Sequence, residues 1–179
     1  MQGTPNNPSG FIFSKRSMSN LAGTHKDLQK VIYEALRTSP VDFLVYNGLR
    51  TLEEQKTLVA TGKSPTMRSR HLTGHAIDLA PITSSGNIEW GDIATFDALG
   101  THIKATAKRL GIKIKWGGDW KSKDRPHYQL NWKAYPIDGP EPNTAPLPKP
   151  DLPTATPAPQ NEPEGFLARM KALTRRYAF

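Results

Sequence analysis

The chain has 179 residues, 36% of them hydrophobic, and a formal net charge of +8; this length suits one domain with a real core and a small appendage. It contains no cysteine, which excludes disulfides, cysteine-ligated zinc and a thiol nucleophile. The positive charge favours a polyanionic partner (nucleic acid, anionic lipid or the acidic polymers of a bacterial envelope) without choosing among them.

Residues 1–10, "MQGTPNNPSG", are predicted to be a flexible lead-in. They carry no apolar segment of a secretory signal, and no run of about 18 apolar residues marks a transmembrane helix. The chain is therefore expected to be made soluble in the cytoplasm. Between Thr24 and Thr38, Leu28, Val31, Ile32, Ala35 and Leu36 recur at helical spacing, with Thr24 as N-cap and Pro40 beyond the end. "DFLVYNGL" (42–49) is apolar, β-branched and aromatic, and predicts a strand. Thr51 with Glu54 three residues later is a capping box opening a helix that stops at Gly62. A second strand is expected over 75–82 and a turn at Gly86 and Asn87. A long helix follows over 91–111, then strands over 112–116 and 127–132. The order lacks the βαβ rhythm of a parallel sheet. It predicts an α+β fold with a small, mainly antiparallel sheet and helices packed on it.

From Pro136 to Pro163 there are ten prolines in 28 residues and few large apolar side chains. Such a stretch cannot bury enough surface to offset its ordering entropy and is predicted to be an extended, semi-rigid linker. The expected layout is a catalytic domain over 1–134, the linker over 135–164 and a short helix over 165–179. In that last segment Phe166, Met170, Leu173 and Tyr177 share one helical face, while Arg169, Lys171, Arg175 and Arg176 supply positive charge. A basic amphipathic helix of this kind suits an anionic membrane surface; docking back on the domain is the alternative.

Catalytic zinc usually takes three protein ligands and leaves one position for water. Without cysteine, these must come from five histidines and the carboxylates. His25 and His102 lie in predicted helices rich in Lys and Ala and are expected to face solvent. His71 and His75 have the i, i+4 spacing of a helical H-E-x-x-H site, but Leu72 occupies the glutamate position and Thr73 and Gly74 interrupt the helix. His71 with Asp78 fits better. A carboxylate flanked by Ile77 and Leu79 on a strand is costly unless paired or metal-bound. Gly74 permits the turn that folds His71 back beside it. "DRPHYQL" then offers His127 as third ligand. Asp124, three residues earlier, suits the base that takes a proton from bound water, with Asp119 as a more distant competitor. Arg50, after the first strand, is either a fixed cation for a developing oxyanion or a surface arginine at a helix start.

"SRHLTGHAIDLAP" resembles the S-x-H-x6-D signature of the zinc peptidases that cut bacterial peptidoglycan stems. That family includes D-Ala-D-Ala carboxypeptidases and dipeptidases and the L-alanyl-D-glutamate endopeptidases of phage endolysins. "WGGDW" followed by "DRPHYQL" resembles its second signature, an acid-x-x-His element. "YNGLRTLEEQ" resembles the segment supplying the arginine that stabilises the transition state, with Gln55 a few residues on. The resemblance runs from about Lys15 to Trp132. It implies the DD-peptidase/hedgehog-like zinc fold, one Zn2+ held by His71, Asp78 and His127, Asp124 as general base and Arg50 as oxyanion partner. It also implies that Ser69 orients the loop and gives His75 no role. Many members carry an acidic residue two positions after the ligand histidine, where this chain has Gln129.

The expected function is zinc-dependent hydrolysis of the peptidoglycan stem peptide at the L-Ala–D-Glu bond, by a monomeric phage endolysin that waits in the host cytoplasm until lysis. Two alternatives remain open: a D-Ala-D-Ala carboxypeptidase, and a non-catalytic module on the same zinc fold. The tail would engage anionic lipid or lipopolysaccharide. Nucleic acid is not an expected partner, because the charges are dispersed and no recognition element is present.

Overall fold

The computed structural model describes residues 7–137. Its elements in chain order are α1 (Lys15–Ala22), α2 (Lys26–Thr38), β1 (Phe43–Asn47), α3 (Leu52–Ala60), β2 (Ala76–Pro81), α4 (Ile93–Arg109), β3 (Ile114–Trp116) and β4 (His127–Leu130). The four strands form one sheet in the order β1-β2-β4-β3, antiparallel at every pairing. This is the expected α+β architecture.

Alternation along the strands gives the sheet two unlike faces. Phe43, Val45, Ile77, Leu79, Tyr128 and Leu130 are buried on one of them. There they join Leu28, Val31, Ile32 and Ala35 of α2 and Leu99, Ile103 and Ala107 of α4 in a single core. Each fully buried Leu, Ile or Phe side chain contributes roughly 1.5–3 kcal/mol, so this face carries the stability of the domain. The other face is left for chemistry.

The capping box on α3 forms as predicted, with Thr51 accepting from the Glu54 amide and Glu54 reaching back to the Thr51 amide. Three local expectations are corrected. The N-cap of α2 is His25, whose Nδ1 accepts from the Asp27 amide at 3.1 Å; Thr24 is buried and donates its hydroxyl to the Leu21 carbonyl instead. His102 does not simply face solvent: it is half-buried and its Nε2 donates to the Ala35 carbonyl at 2.9 Å, tying α4 to α2. Residues 7–10 are not a loose lead-in, because the Ser9 amide and hydroxyl bond the Arg37 and Leu36 carbonyls at the end of α2.

Helix α1 is short, with Met18, Leu21 and Ala22 as its apolar residues, and was not foreseen. It buries Ser17 and Leu21, the latter within the core, and it is further held by hydrogen bonds. Ser17 Oγ accepts from the Val45 amide, and the Asn20 amide donates to the Val45 and Tyr46 carbonyls. These contacts fall where the β1–β2 register slips between Val45 and Asn47. The helix thus satisfies an edge strand where its ladder is broken.

Gly74 ends the tight 3-10 turn Arg70–Thr73 with φ +69°, and a β-carbon there would lie 2.6 Å from the Gly23 carbonyl oxygen. Both the left-handed backbone and the close approach require glycine. Gly74→Ala is expected to destabilise the domain by about 2 kcal/mol or more and to weaken metal binding at the adjoining turn. Thermal denaturation with and without added Zn2+ measures both effects.

Candidate active site

Asp78 and His127 are directly paired across β2 and β4. Their neighbours Ile77, Leu79 and Tyr128 point into the core, so both project from the opposite face of the sheet. Directly opposed side chains in an antiparallel pair have β-carbons about 4.5–5.5 Å apart, which brings these two within reach of one ion. His71 arrives from the 3-10 turn. Its amide donates to Ser69 Oγ at 3.3 Å, and its carbonyl accepts from the Arg50 amide at 3.0 Å. Next to it, Arg70 is buried, donates twice to the Tyr135 carbonyl and lies over the Trp132 ring at 4.2 Å. This clamps the turn to the end of the domain.

The result is a triangle of His71 Nε2, Asp78 Oδ1 and His127 Nδ1, each 3.2 Å from the other two. The far side of every member is engaged elsewhere. His71 Nδ1 donates to the Gly48 carbonyl at 2.7 Å, which leaves Nε2 as a lone pair. His127 Nε2 donates to Gln129 Oε1 at 3.0 Å, which leaves Nδ1 as one. Asp78 Oδ2 accepts from Asn47 at 3.2 Å, which turns Oδ1 inward. Three acceptors are therefore aimed at one point, an arrangement that repels itself until a positive charge joins it. Ligand atoms about 2.0 Å from a tetrahedral ion lie about 3.3 Å apart, so the donor set and spacing fit one small divalent cation. Among the described residues this is the one cluster of three such groups.

Electrostatics agree. Burial alone would raise the Asp78 carboxyl, but a proton taken up on the inward nitrogen of His127 or His71 bonds and neutralises the carboxylate, which holds the group far below the usual carboxylate range. Burial disfavours charge on His127 as well, yet bonding to Asp78 and the Asp78 charge raise its imidazole above the ordinary value. The triangle thus attracts positive charge, and protons compete with a metal for it.

Asp124 lines the same cleft, of about 530 Å³, with the triangle and Arg50. Its loop is fixed closely. The Asp124 amide donates to the Gly117 carbonyl and its carbonyl accepts from the His127 amide. A β-carbon on Gly117 would lie 2.2 Å from the Asp124 carbonyl oxygen, so a side chain there would displace the loop. Arg125 is anchored by Asp97 at 2.7 Å and by the Trp116 indole. Burial pushes the Asp124 carboxyl up, with help from the Asp78 charge and against the pull of His127. Asp119 points elsewhere, exposed and paired with Lys104 at 2.9 Å.

Arg50 Nη2 lies 3.8 Å from Asp78 Oδ2 while Nη1 donates to Gln55 Oε1 at 2.8 Å. Gln55 is itself fully buried and held by Ser64 Oγ and the Thr66 carbonyl. His75 is outside the group: its Nδ1 donates to the Thr73 carbonyl and its ring sits 5.0 Å from that of His25. Arg169, Lys171, Arg175 and Arg176 lie outside the described residues. Asn47, Gly48, Arg70 and Trp120, whose ring lies 5.2 Å from that of His127, were not singled out from sequence. Of these only Asn47, a polar residue ending an apolar strand, carried a signal.

The fold and site together define a mixed α+β domain with two histidines and an aspartate that could hold one metal ion, and a further carboxylate in the same cleft. The chain belongs to the phage L-alanyl-D-glutamate peptidase family, whose model matches residues 9–142. It is 37% identical over 129 residues to the L-alanyl-D-glutamate peptidase of Escherichia phage T5, covering 70% of this chain and 93% of that one. It is 35% identical over 130 residues to the L-alanyl-D-glutamate peptidase of Listeria phage A118, covering 70% of this chain and 44% of the relative. The crystal structure of the Serratia marcescens L-Ala D-Glu endopeptidase ChiX superimposes with a TM-score of 0.65 at 42% identity, over 70% of this chain and 95% of that one.

Outer partners of metal-bound histidines typically account for 10–100-fold in affinity. Gln129→Leu is expected to weaken Zn2+ binding by about that factor, while Gln129→Glu, which keeps an acceptor, retains it. Competition with a chromophoric chelator gives the ratio.

Proposed function

We propose that the chain is a zinc-dependent peptidoglycan peptidase that hydrolyses the L-Ala–D-Glu bond of the stem peptide and acts as a phage endolysin. The carrying observation is the triangle of His71, Asp78 and His127 with Asp124 in the same cleft. Two imidazoles and one carboxylate form a donor set suited to zinc, and three ligands are the number that leaves a position for water.

His71, Asp78 and His127 hold the ion, which when bound acidifies water and polarises the scissile carbonyl. Asp124 accepts the proton of the attacking water and returns it to the leaving amine of D-Glu. Its raised pKa suits this exchange, since a more basic carboxylate accepts a proton more readily. Arg50, bonded to the buried Gln55, is the cation available to the oxygen on which negative charge develops. Ser69 holds the turn bearing His71. The enzyme works as a monomer. No helix among the described residues is long and apolar enough to cross a membrane. In this reading the protein is held in the host cytoplasm until lysis, and its basic tail engages anionic lipid or lipopolysaccharide.

Asp124→Ala is expected to keep zinc and lose about 10²–10⁴-fold in wall hydrolysis, whereas His127→Ala loses both. Mass spectrometry of digested peptidoglycan should reveal new N-terminal D-Glu; free D-Ala would instead indicate a carboxypeptidase. Neutralising Asp124 also has a signed effect on stability. A buried carboxylate whose pKa is raised on folding penalises the folded state at neutral pH, and the penalty disappears once the group is protonated in both states. Metal-free Asp124→Asn should therefore melt above the metal-free wild type at pH 7, with the difference vanishing below the ordinary carboxylate value of 3.8. Truncation after Asp138 is expected to spare activity on purified peptidoglycan and reduce killing of intact cells; equal potency of both forms on cells would remove the tail's role.

A further inference from the structure

Two aromatic rings beside the metal triangle have no part in the chemistry above. Trp90 and Tyr46 line the same cleft and are 50% and 39% exposed. Trp90 stacks on the buried Phe96 (centroids 5.9 Å apart, planes 20° apart), and Tyr46 meets Trp90 edge-on at 5.4 Å. With the indole stacked on Phe96, half of its surface remains open to solvent. Phe96 holds it from behind, so little ordering entropy is lost when a ligand lands on it. The shelf is also continuous with the site. Tyr46 precedes Asn47, the residue bonded to Asp78 Oδ2.

We propose that Trp90 and Tyr46 form a shelf for a pyranose ring of the glycan strand, packing the sugar's apolar C–H face beside the scissile bond. The inference rests on the peptidoglycan reading of the site. The residues flanking an L-Ala–D-Glu bond are a methyl side chain and a carboxylate, and neither matches the area of an indole. The sugar does. In the stem the L-Ala nitrogen is joined through a lactyl group to the muramic acid ring, so one amino acid separates that group from the bond being cut. An extended residue spans about 3.5 Å, against about 14 Å for the four residues preceding a terminal D-Ala–D-Ala bond. A cut at L-Ala–D-Glu thus brings the sugar to the wall of the cleft, where the two exposed rings stand. Exposed aromatic surface contiguous with a site marks a binding surface.

The test compares two substrates with the same peptide: a disaccharide-peptide carrying N-acetylglucosamine and N-acetylmuramic acid, and the stem peptide without sugar. Trp90→Ala should lower kcat/KM on the disaccharide-peptide by about tenfold or more and leave hydrolysis of the free peptide within about twofold, with Trp90→Phe recovering part of the loss. Equal loss on both substrates, or no loss on either, overturns the shelf. A second measurement does not depend on catalysis. Saturation-transfer NMR of the zinc-loaded full chain with the disaccharide, which carries no stem peptide to cut, should give a signal that Trp90→Ala abolishes. No transfer to the wild type also overturns the proposal. Should the wild type release no N-terminal D-Glu from either substrate, the bond assignment fails, and the disaccharide measurement still decides the shelf.

Discussion

Three hydrogen-bond acceptors held 3.2 Å apart are the constraint around which this domain is organised. Left alone, the oxygen of Asp78 and the ring nitrogens of His71 and His127 repel one another, and burial adds a desolvation cost to the carboxylate. The arrangement persists because each member is fixed from behind: Gly48 holds one ring, Gln129 the other, and Asn47 the carboxylate. A cation among the three acceptors converts the repulsion into attraction, which links folding of this face to metal binding.

The sheet meets that requirement by dividing its labour. One face supplies packing, with Ile77, Leu79, Tyr128 and Leu130 against α2 and α4. The other face supplies function, with Asp78 and His127 as cross-strand neighbours. A slip of one residue between β2 and β4 would carry one of the pair to the wrong face, so the register that builds the core also builds the site. Polar helix α1 and the clamp of Arg70 on Tyr135 keep the edges of this arrangement in place. The folded unit therefore extends at least to Tyr135, whose hydroxyl also donates to Asp27.

Asp124 shows the opposite relation between stability and chemistry. Its carboxyl is raised by burial, a cost to the folded chain at neutral pH, and the same shift makes it a better proton acceptor. The loop that imposes this position is tightly built, with Gly117 against its backbone and Arg125 anchored to Asp97. Such local cost sits where the proposed reaction needs it.

Much of the domain was legible in the sequence because local physics wrote it there. The period of α2, the capping box of α3, the glycine after the 3-10 turn and the alternation of β2 each depend on residues within one turn or one strand. The carboxylate at Asp78 was visible for the same reason: an acid between Ile77 and Leu79 demands a partner. What stayed hidden depends on neighbours far apart in the chain. Helix α1 puts one large side chain, Leu21, into the core and is otherwise held by hydrogen bonds to β1, and His102 bonds a carbonyl 67 residues away. The sequence by itself determined the donor types, their order and the elements that carry them. Only the tertiary structure decided which lone pair of each histidine points inward and which acid stands beside the ligands. Those choices rest on partners such as Gly48 and Gln129, and on close approaches such as Gly117 to Asp124, that exist only once the strands are paired.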